Sequence, residues 1–224
     1  MPRPIIFDID GTLTSTNEVD TRCYVQSVIE YLGSSIDTDW SRYRHVTDSG
    51  IAAEVLERHQ RPATDVARIR ERFVRLISDA LLKTPECFAE IPGAASFVSQ
   101  LRGMPNVGLG LATGGWSASA YAKLHQAGID VAGLAFASAD DAQSRIDIMI
   151  KCRERILRAA PKFTDTPIYV GDGVWDAEAA RILGWQFIGI GSGERANQLR
   201  RCGVPTLFTD YRDVQAVLAA LGAI

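Results

Sequence analysis

The chain has 224 residues, of which 46% are hydrophobic, and its formal net charge at pH 7 is −3. This length allows one large or two small domains, each with a hydrophobic core. A mildly acidic chain without a basic run lacks the charge that attracts nucleic-acid backbones, and no apolar stretch approaches the ~20 residues that span a bilayer. We therefore expect an ordinary globular protein that binds neither nucleic acid nor membranes.

The cysteines indicate no disulfide framework. The four are widely scattered, and no Cys-x-x-Cys pair suggests a zinc or redox site. We expect buried free thiols. The N-terminal residues lead into the first strand without the apolar segment of a signal peptide, so we expect a cytoplasmic protein. The cysteines are Cys23, Cys87, Cys152 and Cys202.

The first predicted element is a short apolar strand, residues 4–9, which ends in carboxylates. Asp8 and Asp10 face the same side because side chains alternate along a strand, and Gly11 permits a sharp turn. Two carboxylates about 5 Å apart repel by roughly 3 kcal/mol at an effective dielectric of about 20. Such a pair indicates a bound hard cation such as Mg²⁺, or a shared proton.

Residues 15–90 form the second predicted unit, and its apolar residues recur at helical spacing throughout. We call this segment the helical insert. Within it, residues 41–50 mix cationic and hydroxyl side chains ahead of a helix, so this stretch is the candidate substrate-selecting loop, with His45 and Thr47 as candidate substrate-binding residues. The alternative is that its arginines are solvated or ion-paired, that His45 is structural, and that Asp48 or Ser49 only caps the helix.

The second half of the chain alternates short apolar strands with helical patterns, which predicts a parallel, doubly wound α/β sheet that includes the first strand. The carboxyl ends of parallel strands open at one edge. Thr113 and Gly114 follow one strand and offer a phosphate cradle, or simply a turn and helix cap. Asp172 and Asp176 follow another, ahead of a helix that should end at Gly184. The predicted strands lie near 107–113, 132–138, 167–171, 186–190 and 206–208.

In their order, the segments at residues 8–12, at Thr113 and at residues 171–176 resemble three motifs of the haloacid dehalogenase superfamily of aspartate-nucleophile phosphatases and phosphomutases. The resemblance is to the capped branch that includes phosphoglycolate phosphatase and β-phosphoglucomutase. It implies a Rossmann-like core domain of residues 1–14 and 91–224 and an all-helical cap domain of residues 15–90.

The family's remaining motif is a Lys or Arg near the start of the helix before the fourth-motif strand, and here the match is loose. Arg145 stands at the start of a helical pattern and is preferred. Lys151 is the runner-up, because it lies about 9 Å farther down the helix axis at 1.5 Å per residue. Lys123, in the middle of the helix after Thr113, is expected on a solvated face.

The resemblance also implies roles. Asp8 is the expected nucleophile and Asp10 the general acid and base. Mg²⁺ is expected on the Asp8 side chain, the Asp10 backbone carbonyl and Asp172, with Asp176 orienting groups around it. Thr113, the Gly114 amide and Arg145 are expected on the phosphoryl oxygens.

The predicted function is that of a Mg²⁺-dependent phosphatase that hydrolyses a small phosphomonoester through an aspartyl-phosphate intermediate. A sugar-phosphate phosphomutase and a non-catalytic binding protein on the same scaffold are the alternatives. The sequence leaves the substrate and the oligomeric state open.

Overall fold

Six short strands form one parallel β-sheet in the computed structural model, which describes residues 2–223. Their spatial order is β3-β2-β1-β4-β5-β6, so the first strand lies inside the sheet and its neighbours come from later in the chain. Each strand falls within or beside a predicted one, and the predicted α/β fold class is confirmed. The strands are β1 (Arg3–Phe7), β2 (Val107–Ala112), β3 (Ala135–Ala137), β4 (Ile168–Gly171), β5 (Gln186–Ile190) and β6 (Leu207–Phe208).

Helices follow the strands, and three consecutive helices lie between β1 and the first helix of the α/β part. Those three are α1 (Asn17–Leu32), α2 (Asp48–Arg58) and α3 (Val66–Lys83). The helices of the α/β part are α4 (Ala94–Arg102), α5 (Ser117–Gln126), α6 (Arg145–Ala159), α7 (Val174–Leu183), α8 (Gly193–Arg201) and α9 (Val214–Ala220). Among residues 2–223, no helix has the length and hydropathy needed to cross a membrane.

The sheet is buried on both faces because apolar side chains alternate across its strands. In β1, Ile5 and Phe7 pack into one cluster together with Phe97, while Ile6 packs into another together with Met149. A parallel sheet covered on both sides requires near-continuous apolar strands, as the sequence of β1 provides.

The helical insert has a hydrophobic cluster of its own. Tyr24 and Val28 of α1 and Phe73 and Ile77 of α3 are buried in it, and the cluster also receives Trp116 from the α/β part. The apolar face of α3 follows from residues spaced three and four apart. The helical character of the insert is therefore as predicted, and the domain boundaries at residues 15 and 90 stay a prediction.

The four cysteines are free thiols, but they are not all buried as expected. Cys23 and Cys152 are buried, Cys87 is half-buried and Cys202 is exposed.

Candidate active site

The turn after β1 brings Asp8 to the carboxyl edge of the sheet. The backbone N–H of Asp8 donates to the carbonyl of Val170 at 2.9 Å, which ties the end of β1 to β4. Gly11 then turns the chain with a φ of +77°, and a Cβ at this position would lie 2.0 Å from Oδ2 of Asp172. The close approach of the turn to Asp172 therefore requires a glycine.

Three carboxylates meet at this edge. Asp8, Asp172 and Asp176 each present an oxygen, and the three oxygens lie within 4.8 Å of one another. All three side chains are buried. Burial raises the pKa of Asp8 well above its usual range, and the neighbouring Asp176 raises it further. Burial likewise raises the pKa of Asp172, to about 7, against the opposing effect of Arg195. Ionised carboxylates here need a compensating cation.

This oxygen donor set fits Mg²⁺, which prefers hard oxygen ligands such as carboxylates. Asp8 and Asp172 are two of the predicted ligands, whereas Asp176 was predicted to orient groups around the metal. The side chain of Asp10 does not belong to the cluster. Its predicted contribution is a backbone carbonyl and stays a prediction. Asp172 is meanwhile held by Nη1 of Arg195 at 2.5 Å and by Nδ2 of Asn17 at 3.1 Å.

Arg145 is the cation that the structure brings to the carboxylates. It is the first residue of α6, and its Nη1 lies 3.3 Å from Oδ1 of Asp8 and 2.8 Å from Oδ1 of Asp176. Its Nη2 donates to the carbonyl of Val46, in the helical insert, at 3.1 Å. Lys151, the predicted runner-up, makes no ion pair within residues 2–223. The helix start thus places the preferred cation at the strand ends.

Thr113 and Gly114 lie at the end of β2. The Thr113 N–H donates to the carbonyl of Ala137 at 3.1 Å, and Oγ1 of Thr113 accepts the Gly115 N–H at 3.0 Å. A Cβ on Gly114 would lie 2.3 Å from Nη2 of Arg145, so a side chain at this position would push the guanidinium away. Hydroxyl, open backbone and cation are therefore side by side, as a phosphate cradle requires.

Lys123 is not on a solvated face as predicted. It is fully buried, and its Nζ donates to Oδ1 and Oδ2 of Asp10 at 2.7 and 2.6 Å and to Oδ1 of Asp20 at 2.7 Å. Burial alone would lower the pKa of Lys123, but the charges of Asp10 and Asp20 raise it overall. The prediction failed because the helical position of a lysine does not show which acids lie opposite it.

The site opens into a cavity of about 140 Å³ between the strand ends and the helical insert. Thr47 lines this cavity, and its Oγ1 donates to the carbonyl of Gln143 at 2.6 Å. His45 is exposed and does not line it, so its predicted contact with substrate is not supported by a position in the cavity. Six residues that the sequence predicted for catalysis, phosphate binding or metal binding also line the cavity: Asp8, Asp10, Thr113, Gly114, Arg145 and Asp172.

The start of α2 holds the helical insert against the site. The backbone N–H of Asp48 donates to the carbonyl of Gly114 at 2.7 Å, and its Oδ2 accepts the N–H of Trp116 at 2.9 Å. Oγ of Ser49 donates to the carbonyl of Ala139 at 2.8 Å. Neither residue caps α2, whose N-cap is Thr47, and each instead bonds to the α/β part.

Buried carboxylates and an arginine lie together at the carboxyl edge of this parallel sheet. This arrangement is typical of α/β enzymes with a charged site at the strand ends. The sequence matches the model of haloacid dehalogenase-like hydrolases over residues 3–184. The chain therefore belongs to the haloacid dehalogenase-like hydrolase family, and the predicted resemblance is confirmed. No curated protein matches the sequence.

Solved structures share the fold over almost the whole chain. A hydrolase from Pseudomonas syringae is 20% identical, with a TM-score of 0.75 and coverage of 98% of this chain and 99% of that one. β-Phosphoglucomutase from Clostridium difficile is 17% identical, with a TM-score of 0.70 and coverage of 99% and 98%. CbbY from Rhodobacter sphaeroides, solved in complex with phosphate, is 21% identical, with a TM-score of 0.65 and coverage of 94% and 95%.

Proposed function

We propose that the protein is a Mg²⁺-dependent phosphatase that hydrolyses a small phosphomonoester through an aspartyl-phosphate on Asp8. One observation carries the proposal: two carboxylates of the buried cluster, Asp8 and Asp172, line the same cavity as Arg145 and the Thr113-Gly114 segment. A phosphoryl group needs these three elements together, namely a nucleophile, cationic charge and hydrogen-bond donors.

In the proposed reaction, an oxygen of Asp8 attacks phosphorus as the bond to the leaving oxygen breaks. Asp10 gives a proton to that oxygen and later takes one from the water that hydrolyses the aspartyl-phosphate. Thr113, the Gly114 amide and Arg145 hold the other phosphoryl oxygens. Mg²⁺, when bound by Asp8, Asp172 and the Asp10 carbonyl, would neutralise charge that develops on the phosphoryl group.

The helical insert serves in this proposal as a cap domain. Its hydrogen bonds to the α/β part at Thr47, Asp48 and Ser49 support a closed arrangement over the cavity. Closure excludes water that would compete for the site, and a cavity of about 140 Å³ suits a small metabolite better than a macromolecule.

The test is release of inorganic phosphate from a panel of small phosphomonoesters, with and without Mg²⁺. We expect turnover with Mg²⁺ and its loss with excess chelator. Asp8→Asn should abolish turnover, because an amide is not a comparable nucleophile, while circular dichroism stays that of the parent. Turnover by Asp8→Asn near the parental rate would disprove the nucleophile assignment.

The same experiment separates the alternatives. A phosphomutase would move phosphate within a sugar phosphate without releasing it, which phosphorus NMR detects. A non-catalytic protein would release no phosphate from any ester in the panel.

A further inference from the structure

Lys123 is the buried centre of an ion-pair chain. It belongs to α5 and is fully buried, and its Nζ contacts carboxylates from two other parts of the chain. Asp10 follows β1, and Asp20 lies on α1 of the helical insert. A lysine ammonium without partners is expensive to bury, so these carboxylates account for its presence in the interior.

The contacts of Asp10 leave one of its oxygens available. Oδ1 accepts from Nζ of Lys123 at 2.7 Å and from Oγ1 of Thr16 at 2.5 Å, whereas Oδ2 accepts from Nζ alone, at 2.6 Å. A carboxylate has about four acceptor positions, two on each oxygen. Within the described residues, three are therefore used, and the free one belongs to Oδ2.

Oδ2 also lies on the side of the phosphate cradle. A Cβ built on Gly115 would be 3.7 Å from Oδ2 of Asp10 and 3.5 Å from Oγ1 of Thr113. The oxygen with the free acceptor position is thus the one beside the segment that the proposed function assigns to the phosphoryl group. A proton donor has to be within hydrogen-bond reach of the leaving oxygen, and of the two oxygens of Asp10 it is Oδ2 that combines a free position with closeness to this segment.

Asp20 connects this arrangement to the helical insert. Its ion pair with Lys123 joins α1 of the insert to α5 of the α/β part. If the insert moved away, Lys123 would lose this partner and keep only Asp10. The position of Lys123, and with it the contact of Lys123 with Asp10, therefore depends on the position of the insert.

We propose that Lys123 is a positioning residue, which orients Asp10 so that its Oδ2 transfers the proton, and that Asp20 makes this orientation depend on the docked helical insert. The proposal deepens the proposed function and rests on the acid–base role that it gives to Asp10.

The test compares two esters that differ in their need for an acid. The leaving group of glycerol 2-phosphate is an alkoxide, which must be protonated as it departs. The leaving group of p-nitrophenyl phosphate is a stable phenolate, which needs no acid. kcat/KM reports the step in which the leaving group departs. For Lys123→Met we expect kcat/KM to fall about 100-fold with the alkyl ester and less than about 10-fold with the aryl ester, in line with the ~100-fold or greater contribution of a general acid. A structural role alone would lower both values equally, and that result would overturn the proposal.

Asp20→Asn tests the link to the insert and is the milder change, because it is isosteric and leaves the Lys123–Asp10 contact in place. We expect a loss of about 10-fold that is confined to the alkyl ester. The double variant should be no slower than Lys123→Met, because Asp20 acts through Lys123. Independent, multiplying losses would disprove that link. If Lys123→Met does not fold, Asp20→Asn decides alone: a selective loss supports the proposal, and equal losses overturn it.

Matched controls are Lys83→Met and Asp79→Asn, which change exposed residues of α3. Both should retain the parental ratio of the two kcat/KM values. If the parent hydrolyses neither ester, the proposed function fails. If it hydrolyses both and the ratio is unchanged in the variants, only the positioning of Asp10 by Lys123 fails.

Discussion

Arg145 shows how much of the site depends on one side chain. Its guanidinium contacts Asp8 and Asp176 and also donates to the Val46 carbonyl of the helical insert. Planar, permanently charged and rich in donors, arginine suits both a carboxylate cluster and a phosphoryl group. In the proposed mechanism its contribution is greatest when negative charge develops on the phosphoryl oxygens.

We predict that Arg145→Met lowers kcat/KM for phosphomonoesters by about 100-fold or more, the loss typical of a removed transition-state donor. Lys151→Met, on the same helix, should change it less than about 3-fold. Steady-state kinetics of both variants, with circular dichroism to check folding, makes the comparison. A larger loss in Lys151→Met would reverse the choice of cation.

At the scale of elements, the turn between β1 and α1 shapes the carboxylate cluster. An L-residue would be strained to nearly the same extent at Gly11 and at Gly33, because their φ angles are +77° and +76°. They differ in surroundings, because a Cβ at Gly11 would overlap Asp172 and Asn17, whereas no atom of residues 2–223 lies within 4 Å of one at Gly33. This pair separates the cost of the backbone conformation from the cost of crowding the site.

We expect Gly11→Ala and Gly33→Ala each to lose roughly 1–2 kcal/mol of stability from the unfavourable φ. Only Gly11→Ala should also displace the Asp172 carboxylate. Mg²⁺ should therefore raise the thermal midpoint of the parent and of Gly33→Ala but not that of Gly11→Ala, since a ligand stabilises only the state that binds it. An undiminished Mg²⁺ shift in Gly11→Ala would contradict this account of the turn.

At the scale of the whole molecule, folding collects acidic groups from both parts of the chain around one cavity. Asp20 is an example: burial raises its pKa from 3.8 to about 6, although Lys123 acts in the opposite direction. Burial and the charge of Asp20 also raise the pKa of Asp48. Folded protein therefore holds these protons more tightly than the unfolded chain does, and this part of the stability is lost as pH rises.

For Asp20 the loss falls between pH 4 and about 6, because its unfolded pKa is near 3.8 and its folded pKa is about 6. We predict that the free energy of unfolding of Asp20→Asn, relative to the parent, increases by up to about 3 kcal/mol across this range. Urea unfolding at several pH values without Mg²⁺ measures the difference. Asp79→Asn, the control, should differ from the parent by the same amount at every pH. If the difference between Asp20→Asn and the parent is also independent of pH, the assignment to Asp20 is refuted.

The parts of the site that could be predicted lie next to strand ends. Asp8, Thr113 and Asp172 each follow an apolar strand directly, and parallel strands bring their carboxyl ends together whatever the separation in sequence. Arg145 was also recognisable because it begins a helix. Lys123 was misjudged, because which face of a helix is buried depends on the element packed against it.

Sequence by itself determined the α/β class, the helical character of residues 15–90 and the carboxylates at the strand ends, because strand and helix periodicity and strand-end chemistry are local. Only the tertiary structure decided the partners: Asp176 in the carboxylate cluster, Arg195 on Asp172, and Lys123 between Asp10 and Asp20. Those contacts join residues of different elements, so they depend on how α1, α5, α7 and α8 pack at the strand ends rather than on any local pattern.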